Sequence, residues 1–191
     1  MRITKDPAIR RQEIIDTARE LFEAQGISKT SMTDIAQKIG VAKGLVYYYF
    51  SSKDLLVEEV IDQFIRHLDE TLRQILLRDD LDFYGKLSAI LILYFQSFQG
   101  SPALIKFSPV VPGVFDLIRD RMSETALIHA SDLLQQGKQD NLIRIEYPEY
   151  MLKILISGLG DLYIQGVREL PVHATLIEQT LGLAKGRLTL G

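Results

Sequence analysis

Apolar residues recur every three or four positions along most of this chain, which is the spacing of one buried face of an α-helix. The first such segment has Asp6 at the N-cap position and ends at Gly26. A second segment starts with Ser31 and Asp34 in capping-box spacing and ends at Gly40. These patterns predict a long first helix and a second helix of about two turns.

Further helical segments follow. A third short helix is predicted over residues 45–49, and Ser51, with Asp54 three residues later, is predicted to cap a long amphipathic helix. The later segments are a mostly apolar helix, a short helix, a long amphipathic helix and two final helices, at residues 81–99, 101–106, 114–136, 148–165 and 173–188. No stretch alternates clearly with period two, so we predict an all-α fold of about nine helices.

The composition is that of a globular protein, with 191 residues, 47% of them hydrophobic and 25% charged. The absence of cysteine excludes disulfides, thiolate zinc sites and cysteine nucleophiles. It also fits the cytoplasm, where we expect the protein to be located. The longest apolar run, residues 87–95, is too short to cross a bilayer, and the first ten residues lack the apolar region of a signal peptide. We therefore expect no membrane partner.

Charge is unevenly distributed along the chain. Residues 1–53 carry nine Lys or Arg and six Asp or Glu, whereas the remaining residues carry 13 and 19. Chance variation is one explanation. The other is a basic N-terminal module that approaches phosphate, joined to an acidic body that does not. For Arg10 and Arg11, phosphate contact and plain surface charge both stay open.

A sharp turn joins the second and third helices. Two helices can cross closely there when the first carries a small residue at the contact and the turn contains a residue that tolerates unusual backbone angles. Ala36 and Gly40 meet these two requirements. Apolar residues at 35, 39, 41 and 46 turn both helices toward the first helix. The arrangement resembles a helix-turn-helix, whose second helix enters the major groove of DNA.

The stretch TSMTDIAQKIGVAKGLVYYYFSSKDLL, residues 30–56, is similar to the DNA-binding signature of the TetR family of bacterial transcriptional repressors. The similarity covers about residues 8–60, and the rest matches the family in length and helical layout. It implies a helix-turn-helix DNA-binding domain over residues 1–50 and a helical effector-binding and dimerisation domain over residues 51–191. It also implies a homodimer through the last two helices, a near-palindromic operator DNA and a small-molecule effector. We expect no cofactor.

The resemblance assigns roles to individual residues. Ser31 and Thr33, at the start of the second helix, match positions that contact a phosphate or a base edge. The remaining DNA-binding positions are the base-proximal Lys43, Gly44 and Leu45, the backbone-contacting Tyr47, Tyr48 and Tyr49, and the phosphate anchor Lys53. Lysine and phenol side chains can donate hydrogen bonds to phosphate oxygens, which agrees with these roles.

Three positions depart from the family's pattern. Family members often carry a small polar residue at the position of Leu45 and a histidine at the position of Tyr49, and some have an arginine in place of Thr33. Leu45 would read DNA through apolar contact, for instance with a thymine methyl group. The operator sequence therefore cannot be inferred from better-known members.

Helical geometry separates the three consecutive tyrosines. Each residue of a helix turns by about 100°, and Val46 and Phe50 share the face that we expect to be buried. Tyr48 falls farthest from that face, so it is expected to point outward. Tyr47 and Tyr49 flank the face, and we expect their rings to be half buried and their hydroxyl groups exposed.

Aromatic and histidine side chains of the internal helices are candidates for an effector pocket. The candidates are Phe95, Phe98, Phe107, Phe115, His129 and Tyr163. Core packing is the alternative for the aromatic residues, and a satisfied polar group is the alternative for His129. His67 and Glu70 lie one turn apart, but two ligands do not make a metal site, so we expect no metal.

Motifs of known enzymes are missing from the sequence. It has no phosphate-binding glycine loop, no HExxH and no GxSxG, and its three histidines form no catalytic pattern. We therefore expect no enzymatic activity. The predicted function is that of a transcriptional repressor released from its operator by a small apolar molecule. The alternative is a helical small-molecule-binding protein or an enzyme that does not regulate DNA.

Overall fold

A computed structural model describes residues 5–100 and 114–189 of the chain, except for the side chains of residues 97–100, 115, 116 and 164. These described ranges contain eight helices and no strand, which confirms the prediction of an all-α fold. The helices are α1 (Pro7–Gln25), α2 (Met32–Ile39), α3 (Lys43–Tyr49), α4 (Lys53–Leu76), α5 (Phe83–Gly100), α6 (Val114–Gln139), α7 (Pro148–Ile164) and α8 (Leu170–Leu181). The short helix predicted at residues 101–106 lies outside the described residues.

Local chemistry sets the ends of the first helices. The Asp6 carboxylate caps α1 by accepting hydrogen bonds from two backbone N–H groups of the first turn, at 2.8 and 3.4 Å. Ser31 and Asp34 form the predicted capping box of α2, in which each side chain accepts from the other residue's backbone N–H. Gly40 ends α2 in the left-handed region, with φ of 78°, which is a conformation that glycine adopts without strain.

Apolar faces of α1, α2 and α3 meet in a small core. Its most deeply buried members, each at most 2% exposed, are Ile14, Ile15, Ala18 and Phe22 of α1, Ile35 and Ala36 of α2, and Val46 of α3. Burying one large apolar side chain stabilises a fold by about 1.5–3 kcal/mol relative to leaving it exposed. This core therefore fixes the position of α3 on the other two helices.

The cap of α4 lies one residue later than the sequence suggests. The backbone N–H of Leu55 donates to the Ser52 hydroxyl at 3.2 Å, so Ser52 caps the helix, and the prediction of a Ser51 cap is wrong. The reason is geometric. A capping side chain reaches the amides two or three residues ahead of it, and the helix begins at Lys53, directly after Ser52.

The helices that follow enclose an apolar interior. α5 is buried along Phe83, Leu87, Leu91 and Phe95, as expected for a mostly apolar helix. The Phe83 ring of α5 packs onto Gly137 of α6, where a Cβ atom would lie only 2.5 Å from the ring. A larger residue at position 137 would therefore force the ring to shift.

A buried carboxylate fastens the segment that follows α8. Glu178 is 4% exposed and accepts hydrogen bonds from the backbone N–H groups of Gly186, Arg187 and Leu188, at 2.7–2.8 Å. Burial raises the pKa of Glu178, but these three donors outweigh burial and hold the pKa below its ordinary value of 4.5. The ionised carboxylate therefore anchors the C-terminal segment.

The chain divides into two compact units. The N-terminal unit includes residues 5–66, and the C-terminal unit includes His67–Gln99 and residues 117–189. The N-terminal unit extends into α4, where Glu59 forms an ion pair with Arg11 of α1. Within the described ranges, no helix combines the length and the hydrophobicity needed to cross a bilayer.

Candidate nucleic-acid interface

α3 has a buried face and an outward face. Val46 is 0% exposed and Phe50, directly after the helix, is 4% exposed, whereas Tyr48 is 80% exposed and Tyr47 is 41% exposed. Tyr49 is half-buried, and its ring meets that of Tyr48 edge-on with 5.2 Å between centroids. The outward direction predicted for Tyr48 and the half-buried ring predicted for Tyr49 are confirmed, whereas Tyr47 is exposed and the prediction of a half-buried ring is wrong there. One face of α3 therefore packs on the core, and the other presents phenol groups on the surface.

The first turn of α3 carries the three residues predicted to lie nearest the bases. Lys43 and Gly44 are exposed, with open space around Gly44, and Leu45 is half-buried. The Lys43 ammonium lies over the Tyr47 ring, 5.5 Å from its centroid. An exposed cation–π contact contributes about 0.5–1 kcal/mol, so it orients the lysine but can be exchanged for a phosphate or a base.

The other predicted contacts lie at the starts of α2 and α4. Thr33 is exposed, whereas the Ser31 hydroxyl is engaged with Asp34 in the capping box. Hydrogen bonds from the backbone and the hydroxyl of Ser31 lower the pKa of Asp34, and the charge of Lys53 lowers it further. Lys53, at the start of α4, therefore acts electrostatically on the start of α2.

Ion pairs decide which basic side chains of the N-terminal unit remain available to a phosphate. Those paired with carboxylates are Lys5, Arg10, Arg11, Arg19 and Lys38. Over residues 5–53, the lysines without a carboxylate within 4.0 Å are Lys29, Lys43 and Lys53. Two of these three were assigned to DNA by the resemblance. The third, Lys29, is exposed in the turn between α1 and α2.

Arg11 supports the end of α3 from the side of the core. Its guanidinium lies 2.5 Å from a Glu59 carboxylate oxygen and 5.0 Å from the centre of the Phe50 ring. The hydrogen bond from Arg11 is the main cause of the lowered pKa of Glu59, against the opposing effect of burial. Arg10 is paired with Glu13. Arg11 therefore holds Phe50 and α4 in place, a contact between partners 48 residues apart that no local pattern indicates.

The C-terminal unit contains an apolar cavity of about 60 Å³. Five helices contribute to its walls, for example through Leu72 of α4, Leu91 of α5, Leu133 of α6, Leu159 of α7 and Ile177 of α8. An engineered cavity that admits benzene has about 150 Å³. A larger ligand therefore requires some of these walls to move.

The six residues predicted to form a pocket have different locations. His129 lines the cavity. Phe95 and Tyr163 are buried but are not among its walls, and Phe95 packs against His173 with 4.6 Å between ring centroids. Outside the described part of the structure lie Phe107 and the side chains of Phe98 and Phe115.

Two polar side chains border the cavity. The Tyr94 hydroxyl donates to the Ile156 carbonyl oxygen at 3.0 Å, and His129 Nε2 lies 2.5 Å from Asp69 Oδ1. Burial raises the pKa of Tyr94, and the Asp161 carboxylate raises it further, so the phenol stays protonated. Tyr94 was missed in the sequence, because α5 is apolar around most of its circumference and its pattern does not single out one position.

The His173 ring contains a buried acceptor without a partner. His173 is 0% exposed, and its Nε2 donates to the Val167 carbonyl oxygen at 2.8 Å. In the neutral ring Nδ1 then presents a lone pair, and it has no hydrogen-bond partner among the described residues. An unpaired buried polar group costs about 1–3 kcal/mol. This atom is therefore a candidate contact for a ligand, and no sequence pattern indicates it.

Known proteins resemble this chain in sequence and in fold. Residues 14–60 match the model of the family described as bacterial regulatory proteins, tetR family. The chain is 30% identical to the HTH-type transcriptional repressor KstR2 of Mycolicibacterium smegmatis, over 72% of this chain and 69% of that protein. It is 29% identical to the HTH-type transcriptional regulator SrpR of Pseudomonas putida, over 94% and 71%. The crystal structure of RolR without ligand has the same fold, with a TM-score of 0.72, 16% identity and 91% of each chain covered.

Proposed function

This chain belongs to the TetR family of bacterial regulatory proteins, and on that basis we propose that it is a homodimeric transcriptional repressor that responds to a small molecule. The observation that carries the proposal is the outward face of α3. Tyr48 and Lys43 are exposed there, inside the segment that matches the family. A small apolar molecule bound in the C-terminal unit releases the protein from its operator.

In this proposal α3 enters the major groove of the operator. Lys43 donates to guanine acceptors or to a phosphate, and Leu45 makes apolar contact with a base such as thymine. The exposed tyrosines donate to the DNA backbone. Thr33 at the start of α2 and Lys53 at the start of α4 contact flanking phosphates, where free helix N–H groups also favour an anion.

A second copy of the chain covers the outer face of α7. Tyr147, Tyr150 and Ile154 are 57%, 69% and 62% exposed, and their spacing of three and four residues places them on one side of the helix. Gly158 continues this face with nothing within 4 Å of its potential Cβ, so another helix can approach closely there. Large exposed apolar residues gathered on one face support an interface. Dimerisation then holds the two α3 helices one DNA turn apart, about 34–36 Å.

In this proposal, the long helix α4 couples ligand binding in the C-terminal unit to operator binding by α3. It contributes Glu59, which is paired with Arg11 beside the end of α3, and Leu72, which lines the cavity. A ligand that enlarges the cavity moves α4 and thereby changes the position of α3. A coupling free energy of about 1–3 kcal/mol would weaken operator binding about 5- to 150-fold.

Selection of genomic DNA fragments by the whole chain tests the DNA-binding part of the proposal. We expect one near-palindromic sequence to be enriched and Lys43→Ala to weaken its binding. Lys185→Ala removes an exposed lysine of the C-terminal unit, so it is the matched control and should bind like the unaltered protein. Failure to enrich any sequence, or equal binding by the Lys43→Ala variant, would contradict the proposal.

A further inference from the structure

His173, whose Nδ1 has no partner among the described residues, lies one helical turn from a residue that lines the cavity. Leu91 of α5 and Ile177 of α8 line the cavity. Phe95 and His173 lie one helical turn beyond these residues on the same two helices, and their rings contact each other. The pair therefore forms the next layer of side chains at this end of the cavity.

The size of the cavity requires one of its boundaries to move. Its volume is about 60 Å³, whereas pockets for small-molecule ligands usually have about 300–1,000 Å³. Phe95 is large, 2% exposed and in direct contact with the His173 ring. Displacement of the Phe95 ring would enlarge the cavity and give its occupant access to His173 Nδ1.

The electrostatics of this region favour an uncharged ligand that donates a hydrogen bond. The described lining of the cavity includes no lysine or arginine, and its polar members are Tyr94 and His129. Asp161 raises the pKa of Tyr94 more than Arg119 lowers it, so a further negative charge is disfavoured next to the Tyr94 hydroxyl. His173 Nδ1, in the neutral ring, accepts a hydrogen bond and cannot donate one.

We propose that the effector is an uncharged apolar molecule bearing a hydroxyl group, which displaces Phe95 and donates a hydrogen bond to His173 Nδ1. The inference rests on the proposed function, because it names the ligand class of the same regulator. It predicts that phenols and alcohols bind more tightly than ethers and carboxylic acids of similar shape. An ether leaves Nδ1 unpaired, and a carboxylate adds a charge without adding a donor.

Three probes of similar shape test this ligand class: 4-propylphenol, 4-propylanisole and 4-propylbenzoate. Their binding to the whole chain is measured by titration calorimetry in the absence of DNA. We expect the phenol to bind about 5- to 100-fold more tightly than its methyl ether, because only the phenol satisfies the buried acceptor. The benzoate should bind more weakly than either. Absence of phenol binding, or binding of the benzoate as tight as that of the phenol, would overturn the inference.

Substitutions of the two histidines locate the contact. His173→Gln keeps an amide N–H able to donate to the Val167 carbonyl but removes the Nδ1 acceptor, so it should abolish the preference for phenol over ether. His173→Asn places an amide oxygen near the position of Nδ1 and should restore part of that preference. His129→Gln is the matched control and should leave the preference intact. Loss of the preference in the His129 variant alone would overturn the assignment to His173.

A substitution of Phe95 tests whether the ligand displaces the ring of this residue. Phe95→Leu replaces the ring with a smaller side chain, so it should strengthen the binding of the phenol and the ether by similar factors. Unchanged binding of both probes would show that this side chain does not move.

Operator binding in the presence of the probes distinguishes failure of this inference from failure of the proposed function. If the phenol binds through His173 and the operator stays bound, the ligand class stands and the switching part of the proposed function fails. If the benzoate releases the operator and the phenol does not, the switching mechanism stands and the ligand class is wrong.

Discussion

The N-terminal and C-terminal units differ in where their chemistry lies. The N-terminal unit uses a small apolar core to hold α3 and presents Tyr48 and unpaired lysines on its surface. The C-terminal unit has its distinctive features inside, a nearly apolar cavity and a buried histidine nitrogen that has no hydrogen-bond partner among the described residues. DNA offers every binding protein the same phosphates, whereas effectors differ in shape and polarity. The DNA contacts of the N-terminal unit can therefore be inferred from its residue types, whereas the effector contacts of the C-terminal unit depend on how its side chains pack.

Truncation of Phe22 should have the largest effect and should separate the two units by their stability. Phe22 is 0% exposed in the core of the N-terminal unit, so Phe22→Ala should cost about 3–5 kcal/mol. We expect hydrogen exchange to lose protection in α1, α2 and α3 while α5 and α8 keep theirs. Ile128→Ala, at a 74% exposed position of α6, is the control and should change stability by less than about 0.5 kcal/mol. Equal loss of protection in both units would argue against this division.

Substitution of Glu178 should act on the C-terminal unit alone. Glu178→Gln places an amide N–H group among three backbone donors, which should cost about 1–3 kcal/mol. The pKa of Glu178 is lowered in the folded protein, so its contribution is fully present above the ordinary value of 4.5 and is lost as the pH falls through the folded pKa. Protection of the amides of residues 186–188, relative to their intrinsic exchange rate at the same pH, should fall in the variant and, in the unaltered protein, on acidification. If exchange at these amides stays slow in the Glu178→Gln variant, the carboxylate is not the anchor.

Removal of Arg11 should have a smaller effect on stability and a selective effect on operator binding. Arg11 is partly exposed, so Arg11→Ala should cost about 0.5–1 kcal/mol. Operator binding should nevertheless weaken, because Arg11 holds Phe50 at the end of α3. Arg19→Ala breaks an exposed ion pair with Glu23 on the same helix and is the matched control. Equal operator affinity for these two variants would rule out a positioning role for Arg11.

The sequence indicated the N-terminal unit better than the C-terminal one because its signals are local. The capping box of Ser31 and Asp34 and the outward direction of Tyr48 follow from spacings of a few residues. The Ser52 cap was missed by one position, since two adjacent serines carry the same signal. The contact between Arg11 and Glu59 joins residues that are distant in the chain.

The C-terminal unit shows the limit of such patterns. An aromatic residue on an internal helix has the same spacing whether it packs in the core or lines a cavity. Phe95 and His129 were predicted together as pocket residues, yet only His129 borders the cavity, and Phe95 packs against His173. His173 itself was not predicted, because an unpaired buried nitrogen is a property of three-dimensional packing.

The salt dependence of operator affinity tests most directly the claim that the N-terminal unit binds DNA through its unpaired lysines. Affinity for the selected sequence is measured at several salt concentrations for the unaltered protein, Lys53→Ala and Lys185→Ala. We predict a steep loss of affinity with salt, a slope reduced by about 1 for Lys53→Ala, and an unchanged slope for Lys185→Ala. A slope near zero, or the same slope for the Lys53→Ala variant and the unaltered protein, would contradict that claim.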